Sequence, residues 1–411
     1  MCSYNSYIRL QNSILETIQV RFMLKFLLII TALILSPLQA MAQEVEVKTL
    51  GKGIVFESED QSYSVKLGMR FQSLYIGEWN LENDEYSDQA LVRRARLKLD
   101  GYIYSEKFTY KVQLGFSNRD TRNSSTGGLT QNSNTANIIL DAVIKYNPVS
   151  DFEIWFGQTK LPGNREKLIS SQNVQFVDRS LLNSSFNLDR DMGIQLRNKS
   201  TFGNIIIKQM AAVSIGEGRD ITSKNPGGYS YTGRVELLPF GDFSGKGDYT
   251  GPDLEREEQI KLSVGASYDF NDGAVRSRGH TGSFIFTNGG ELIKNDLHTF
   301  EADIMIKYQG LSAHSEFANR EAQKDTGFGT GSAFMGSIGY VFGNNFGIAG
   351  RYASLKTDDT FSSLPEHSEK TLALSKYLSG HNLKIQASAG YLDYVSRDDI
   401  LRLQVHMEIA F

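Results

Sequence analysis

Cysteine and long apolar segments are what this 411-residue sequence most plainly lacks. Its one cysteine, Cys2, excludes a disulfide framework, and no Cys/His cluster is present to hold zinc. The longest apolar run, Phe26 to Leu35, has about ten residues, whereas a transmembrane helix needs about 20. The formal net charge of −4 gives no bulk electrostatic reason to expect nucleic-acid binding.

The composition instead favours a chain rich in β-strands. Proline is scarce at 7 residues, whereas glycine reaches 38 and tyrosine and phenylalanine reach 19 and 24. Many glycines and aromatic residues with few prolines are typical of all-β proteins. The mean hydropathy of −0.31 is too polar for a protein of many membrane-spanning helices and too apolar for a disordered chain.

Residues 23–42 have the organisation of a secretory signal peptide. Lys25 precedes the apolar run, and Ala40-Met41-Ala42 provides small residues at a cleavage site. We expect residues 1–42 to be an N-terminal extension plus signal peptide, with translation starting at Met23 and cleavage after Ala42. Residues 43–61 then form a periplasmic lead, and residues 62–411 form the main domain.

The mature sequence alternates apolar and polar residues in about sixteen segments of roughly 10–16 residues, long enough to cross an outer membrane as tilted strands. The last segment is the clearest: Leu403, Val405 and Met407 alternate with polar residues, and the chain ends on Phe411. One face of such a strand suits lipid and the other suits water. The pattern predicts an all-β, antiparallel up-and-down transmembrane β-barrel of about sixteen strands.

The connections between these segments alternate in length, which supports the barrel. Long connections at 118–136, 161–189 and 271–298 contrast with tight turns such as Gln309-Gly310. Long extracellular loops on one rim and short periplasmic turns on the other are typical of outer-membrane barrels. Residues 239–258 break this rule, so they are either an insertion on the periplasmic rim or a sign that the strand count is wrong by two.

Several segments resemble the phosphate-selective porin O and P family, in the version found in Bacteroidetes-type outer membranes. They are VRRARLKLDG at 92–101, ILDA at 139–142, FGQTKLPG at 156–163, VDRS at 177–180, DRDMGI at 189–194, GDY at 247–249 and NDGAVR at 271–276. The resemblance extends over nearly the whole mature chain. It implies a sixteen-stranded homotrimeric porin whose third long loop folds inward.

Strand parity separately indicates which charged side chains face the lumen. If the apolar face meets lipid, the opposite face carries sixteen bases and ten acids. The bases are Lys66, Arg70, Arg94, Arg96, Lys98, Lys111, Lys145, Arg197, Lys199, Lys208, Arg234, Lys261, Lys307, Arg351, Lys384 and Arg402. The acids are Asp100, Asp141, Glu153, Asp191, Glu236, Asp269, Glu301, Asp303, Glu316 and Glu408. This excess of base favours anions, unless the acids neutralise most of the bases across the strands.

Residues 161–189 are the expected constriction loop, because their polar makeup suits a loop folded into a water-filled lumen. The candidate pore-lining and anion-binding residues are Arg94, Arg96, Lys98, Lys111, Lys145, Lys160, Arg165, Lys167, Arg179 and Arg190. Arg94, Arg96, Lys98 and Lys160 are placed nearest the narrowest point. Because Arg93 and Arg94 are adjacent, only one of them is expected to face the lumen unless the strand contains a bulge.

The sequence therefore predicts a bacterial outer-membrane diffusion porin for small hydrophilic solutes, with phosphate or related anions as the leading class. No long loop carries a dense lysine cluster, which leaves a general non-selective porin as the alternative. A barrel enzyme is less favoured, since the scattered histidines form no recognisable catalytic motif. A purely structural barrel is the remaining alternative. We expect outer-membrane lipid as surroundings, a homotrimer, and no cofactor, metal or nucleic-acid partner.

Overall fold

The computed structural model describes residues 45–47, 51, 53–121, 137–219, 225–323, 327–357 and 364–411. Residues Val45–Phe411 form one compact unit. The predicted extension, signal peptide and cleavage site lie outside the described residues. The described helices are short, and none has the length and apolar character needed to cross a membrane.

Sixteen antiparallel strands form a closed barrel. They are β3 (Ser64–Asn80), β4 (Glu85–Ile103), β5 (Ser105–Gly115), β6 (Ile139–Val149), β7 (Phe152–Lys160), β8 (Arg190–Phe202), β9 (Ile205–Ser214), β10 (Ser230–Leu238), β11 (Lys261–Ala274), β12 (Asn295–Tyr308), β13 (Leu311–Ala322), β14 (Gly331–Val341), β15 (Phe346–Lys356), β16 (His367–Ser379), β17 (Leu383–Tyr394) and β18 (Ile400–Ala410). Each pairs with the next in the chain, and β18 pairs with β3 from Ala410↔Arg70 to Ile400↔Asn80. The predicted fold class and strand count are confirmed.

Side-chain burial follows the alternation in the sequence. In β18, Leu403, Val405 and Met407 are 47–50% exposed on the outer face, whereas His406 and Glu408 are at most 3% exposed on the inner face. Lipid offers no hydrogen bonds, so every strand must find partners on both sides, and closure of the sheet provides them.

Two short strands precede the barrel, within the expected periplasmic lead. Strand β1 (Val45–Val47) pairs with β2 (Ile54–Glu57), and β2 pairs with residues Ser64 to Leu67 of β3. Strand β3 therefore pairs with β2 near its start and with β18 beyond it. The backbones of Met69 and Phe411 exchange two hydrogen bonds of 2.8 and 3.0 Å beside this junction.

The exceptional stretch 239–260 joins β10 to β11 on the rim of short turns. Because the barrel has sixteen strands, this stretch is an insertion on that rim and the predicted strand count needs no change. It contains a 3-10 turn at Ser244–Tyr249, with Gly245 and Lys246 at positive φ.

Candidate functional site

A β-bulge in β4 directs two adjacent arginines into the lumen. Gln72 of β3 pairs with Arg94 but Ser73 pairs with Val92, which leaves Arg93 as the extra residue. Arg93 donates to Asp178 at 2.7 Å, and Arg94 donates to Gln72 at 2.7 Å. The strand thus contains the bulge that two inward-facing neighbours require, and because the bulge shifts the alternation at this point, both arginines face the lumen.

Residues 161–189, which we call the inward segment, lie inside the barrel and contact distant strands. Arg70 of β3 donates to the Ser171 hydroxyl at 2.9 Å, and Arg351 of β15 donates to the Asp178 carbonyl at 2.9 Å. Gln386 of β17 donates to the Gln175 carbonyl at 2.9 Å. These cross-barrel bonds hold the segment in a fixed position across the lumen.

A short helix, Leu181–Phe186, anchors the far end of this segment. The Ser180 hydroxyl caps the helix by accepting from the Asn183 backbone N–H at 3.2 Å. Leu182 and Phe186 are fully buried and pack against small lumen-facing residues of β13 to β15, among them Ala318 and Ala353. Three alanines of the wall, Ala318, Ala333 and Ala353, leave room for the helix, and Met335 and Leu355 complete the apolar contact.

The insertion 239–260 enters the lumen from the other rim and meets the inward segment. The backbone N–H of Gly251 donates to the Asn173 carbonyl at 2.7 Å, and Arg165 donates to the Asp248 carbonyl at 3.0 Å. Lys307 of β12 fixes the insertion by donating to Thr250 at 2.7 Å. Two segments, rather than one, therefore narrow the barrel.

These two segments bury part of the acidic lumen wall. Arg165 lies 2.5 Å from Asp303 and 3.5 Å from Glu236, and both carboxylates also pair with Arg234. Glu316 and Glu408 are likewise at most 1% exposed; Glu316 accepts from Asn164 and Glu408 pairs with Lys384. Eight of the ten predicted lumen acids are buried, and these four lie beside the two inserted segments.

The open part of the lumen is strongly basic. A cavity of about 490 Å³ is lined by eleven arginines and lysines but only two carboxylates, Asp120 and Asp189. The bases are Arg93, Arg94, Arg96, Lys111, Arg119, Lys160, Lys167, Arg179, Arg190, Arg197 and Arg219. We call this cavity the basic chamber. Two further carboxylates lie next to bases of the chamber: Asp178 pairs with Arg93, and Asp141 pairs with Lys111.

The structure brings seven of the ten candidate residues together in this chamber: Arg94, Arg96, Lys111, Lys160, Lys167, Arg179 and Arg190. Lys98 lies outside it and pairs with Asp100 at 2.8 Å, and Lys145 lines an adjoining cavity. The expectation that Arg165 faces the channel is wrong, because its guanidinium is fully buried between Asp303 and Glu236.

Burial and neighbouring charges shift the pKa values of chamber groups on the inward segment. Burial lowers the pKa of Lys167 to about 8, although Asp189, 2.6 Å away, opposes that shift. Burial also lowers the pKa of Arg179 to about 10. Burial alone would raise the pKa of Asp178, but Arg93 and Arg94 hold it at about 2. Near neutral pH these groups keep the chamber positively charged.

The basic chamber adjoins two larger cavities. An upper cavity of about 670 Å³ at the long-loop rim shares Arg93, Arg94, Arg119 and Arg179 with it. A lower cavity of about 630 Å³ at the short-turn rim shares Trp155, Arg197 and Tyr249 with it. Shared lining residues show that the three cavities adjoin one another beside the two inserted segments.

Sequence reasoning missed three arginines of the chamber: Arg93, Arg119 and Arg219. The adjacent arginines at 93 and 94 were the only indication in the sequence that Arg93 faces the lumen. The bulge itself becomes visible only in the pairing register of β4 with β3. Arg119 and Arg219 follow the ends of β5 and β9, where alternation no longer indicates a direction. Among the described residues, no group of three or more His, Cys, Asp or Glu side chains could hold a metal ion.

A family model described as phosphate-selective porin O and P matches residues 65–242. This match confirms the resemblance seen in the sequence, and the motifs at 247–249 and 271–276 fall beyond the matched range. No curated protein matches the sequence.

Solved porin structures share the fold at low sequence identity. An anion-selective porin from Comamonas acidovorans is 12% identical with a TM-score of 0.55, and the alignment covers 85% of this chain and 100% of that one. OprB of Pseudomonas putida, in a high-pH structure, is 11% identical with a TM-score of 0.53, and the alignment covers 86% of this chain and 95% of that one. OmpT of Vibrio cholerae, expressed in the outer membrane, is 9% identical with a TM-score of 0.51, and the alignment covers 87% of this chain and 100% of that one.

Proposed function

We propose that this outer-membrane porin, whose residues 65–242 match the phosphate-selective porin O and P family, passes small anions, with phosphate or related oxyanions as the leading solutes. As a porin it is a channel of the bacterial outer membrane and not an enzyme. The solute class and the selectivity are the parts proposed here.

The observation that carries the proposal is the separation of charge inside the barrel. Bases face the open chamber, whereas Glu236, Asp303, Glu316 and Glu408 are buried beside the inserted segments. Pairing across the wall therefore leaves the chamber with an excess of positive charge. Rings of fixed charge set the ion preference of a pore, so this chamber attracts anions and repels cations.

Phosphate suits the chamber because several of its cations are arginines. The planar guanidinium group presents N–H donors in a geometry that matches oxyanions. Arg94, Arg119 and Arg179 line both the chamber and the upper cavity, whereas the chamber lysines line the chamber only. An oxyanion can exchange water for these donors one at a time, while the two inserted segments exclude large solutes.

The porin from Comamonas acidovorans is described as anion-selective, but its likeness to this chain is one of fold. The chamber residues therefore support anion passage independently of that protein. The experiment is a planar-bilayer recording of the purified protein in KCl, with phosphate added at constant ionic strength. Phosphate passage predicts a saturable fall in chloride current as phosphate occupies the chamber. A current that is insensitive to phosphate and discriminates weakly between ions indicates the general porin instead.

We further infer that the porin assembles as a homotrimer in outer-membrane lipid, as the family resemblance implies. Its outer face is apolar, with side chains such as Ile194, Leu372 and Leu403 at least half exposed. Chemical cross-linking in outer-membrane vesicles tests this assembly: a band at three times the protomer mass supports it, and protomer alone opposes it.

A further inference from the structure

Trp155 holds two cations at the junction of the basic chamber and the lower cavity. The Lys145 ammonium lies 3.8 Å from the centre of the Trp155 ring, and the Arg197 guanidinium carbon lies 3.9 Å from it. Lys145 is the cross-strand neighbour of Trp155 on β6, and Arg197 lies on β8. Both distances are well within the range of a cation–π interaction.

These two cations differ from the chamber bases that already have carboxylate partners. Arg93 pairs with Asp178, Arg96 with Asp120 and Lys167 with Asp189, each within 2.7 Å. An anion that binds there must compete with a resident carboxylate.

No ion pair involves Lys145 or Arg197 within the described part of the chain. Arg197 donates to the neutral side-chain amide of Gln195 at 2.8 Å. Glu153, the carboxylate two residues before Trp155, accepts the indole N–H at 2.6 Å. A cation–π contact uses the ring face and no hydrogen-bond acceptor, so N–H donors of both cations remain able to bind an anion.

We propose that Lys145 and Arg197, held in place by Trp155, form an oxyanion-binding site of this pathway. The inference rests on the proposed anion function. Its ligand is a small oxyanion such as phosphate, which would accept hydrogen bonds from N–H donors of the two cations beside the Trp155 ring. Trp155 is a positioning residue that fixes the separation of the two donors.

The site also lies where the basic chamber adjoins the lower cavity. Trp155 and Arg197 line both the chamber and the lower cavity, and Tyr249 of the insertion lines the same junction. An anion leaving the chamber in this direction must therefore pass the pair.

The sequence contains only two tryptophans, which provides a direct optical test. Trp79 is 45% exposed on the outer face of β3, so Trp79→Phe leaves Trp155 as the single indole without altering the lumen. Phosphate is titrated into this protein in detergent, and KCl at matched ionic strength serves as the reference. We expect a saturable change in Trp155 emission with phosphate only.

Charge-removing variants then locate the site. In the same Trp79→Phe background, Lys145→Gln and Arg197→Gln should each weaken phosphate binding by about tenfold, the loss expected for one charge-assisted hydrogen bond. Lys356→Gln, on the outward face at the end of β15, is the matched control and should bind as the parent does. An emission change that is absent, or equal in the parent and the Lys145 and Arg197 variants, overturns the site.

Bilayer recordings separate failure of the site from failure of the proposed function. Trp155→Leu should weaken the phosphate block of chloride current by about tenfold, and Trp155→Phe, which keeps a ring face, should restore part of it. An anion-selective current whose phosphate block is unchanged in all these variants overturns the site and leaves anion passage standing. A parent protein that shows no anion preference overturns both.

Discussion

The Arg93 guanidinium lies 2.7 Å from the Asp178 carboxylate and joins the bulge of β4 to the inward segment. Arg94 approaches the same carboxylate at 3.8 Å. One acid of the constriction therefore offsets two arginines at the entrance to the chamber. This pairing fixes both the position of the segment and the charge that an entering ion meets.

Replacement of Asp178 by Asn should strengthen anion preference. The substitution removes a negative charge beside Arg93 and Arg94 and keeps a side chain of similar size. The reversal potential in a KCl gradient should shift towards the chloride equilibrium potential. Asp393→Asn, an equal charge change on the outward face of β17, serves as the control and should leave the reversal potential unchanged.

Charge reversal at Arg96 should affect selectivity more than charge reversal at Lys98. Arg96 lines the basic chamber, whereas Lys98 lies outside it and is paired with Asp100. Arg96→Glu should therefore weaken anion preference strongly, and Lys98→Glu only slightly, in the same reversal-potential measurement. Equal effects of the two variants would contradict the position of the chamber.

Anion preference should decline as the pH rises from 7 to 9. Burial lowers the pKa of Lys167 to about 8, so this ammonium is mostly charged below that pH and mostly neutral above it. Loss of one chamber cation reduces the attraction for chloride. Lys167→Arg keeps the charge over this range and should flatten the pH profile. A steep profile that persists in Lys167→Arg would assign the titration to another group.

Truncation of the buried helix should loosen the inward segment. Leu182 is fully buried against β13 to β15, and large-to-small changes at such sites cost about 2–5 kcal/mol. Leu182→Ala should make the segment cleavable by protease in the folded barrel and should raise current noise. Ser184→Ala, on the exposed side of the same helix, is the control and should resist cleavage as the parent does.

Removal of the insertion should widen the pore. Residues 239–260 contact the inward segment through the hydrogen bond from the Gly251 backbone N–H to the Asn173 carbonyl, and they occupy part of the lumen below that segment. Replacing residues 241–257 with a short glycine-containing turn should raise single-channel conductance. An equal shortening within 275–294, on the long-loop rim, is the comparison and should change conductance less. Unchanged conductance after removal of 241–257 would mean that the inward segment alone limits flow.

Periodicity was enough to predict the barrel, because burial on a membrane strand follows alternation directly. The pattern of Leu403, Val405 and Met407 predicts the outer face of β18, and their exposure matches it. Alternation likewise predicts the direction of Arg94, Arg96 and Lys111, all of which line the chamber.

What alternation could not reveal depends on contacts between distant parts of the chain. Arg165 is neutralised by carboxylates of β10 and β12, and no local pattern indicates that pairing. The inward direction of Arg93 depends on a bulge defined by the register of β3. The length of 239–258 marked it as unusual, but only its bond to Asn173 shows that it enters the lumen.

The reversal potential of the parent protein in a KCl gradient tests the central claim most directly. The account requires that bases facing the chamber outweigh the acids that remain accessible to ions. It therefore predicts a potential displaced towards that of chloride, reduced by Arg96→Glu and increased by Asp178→Asn. A potential displaced towards that of potassium would contradict the account, because the basic chamber would then not control the ions that pass.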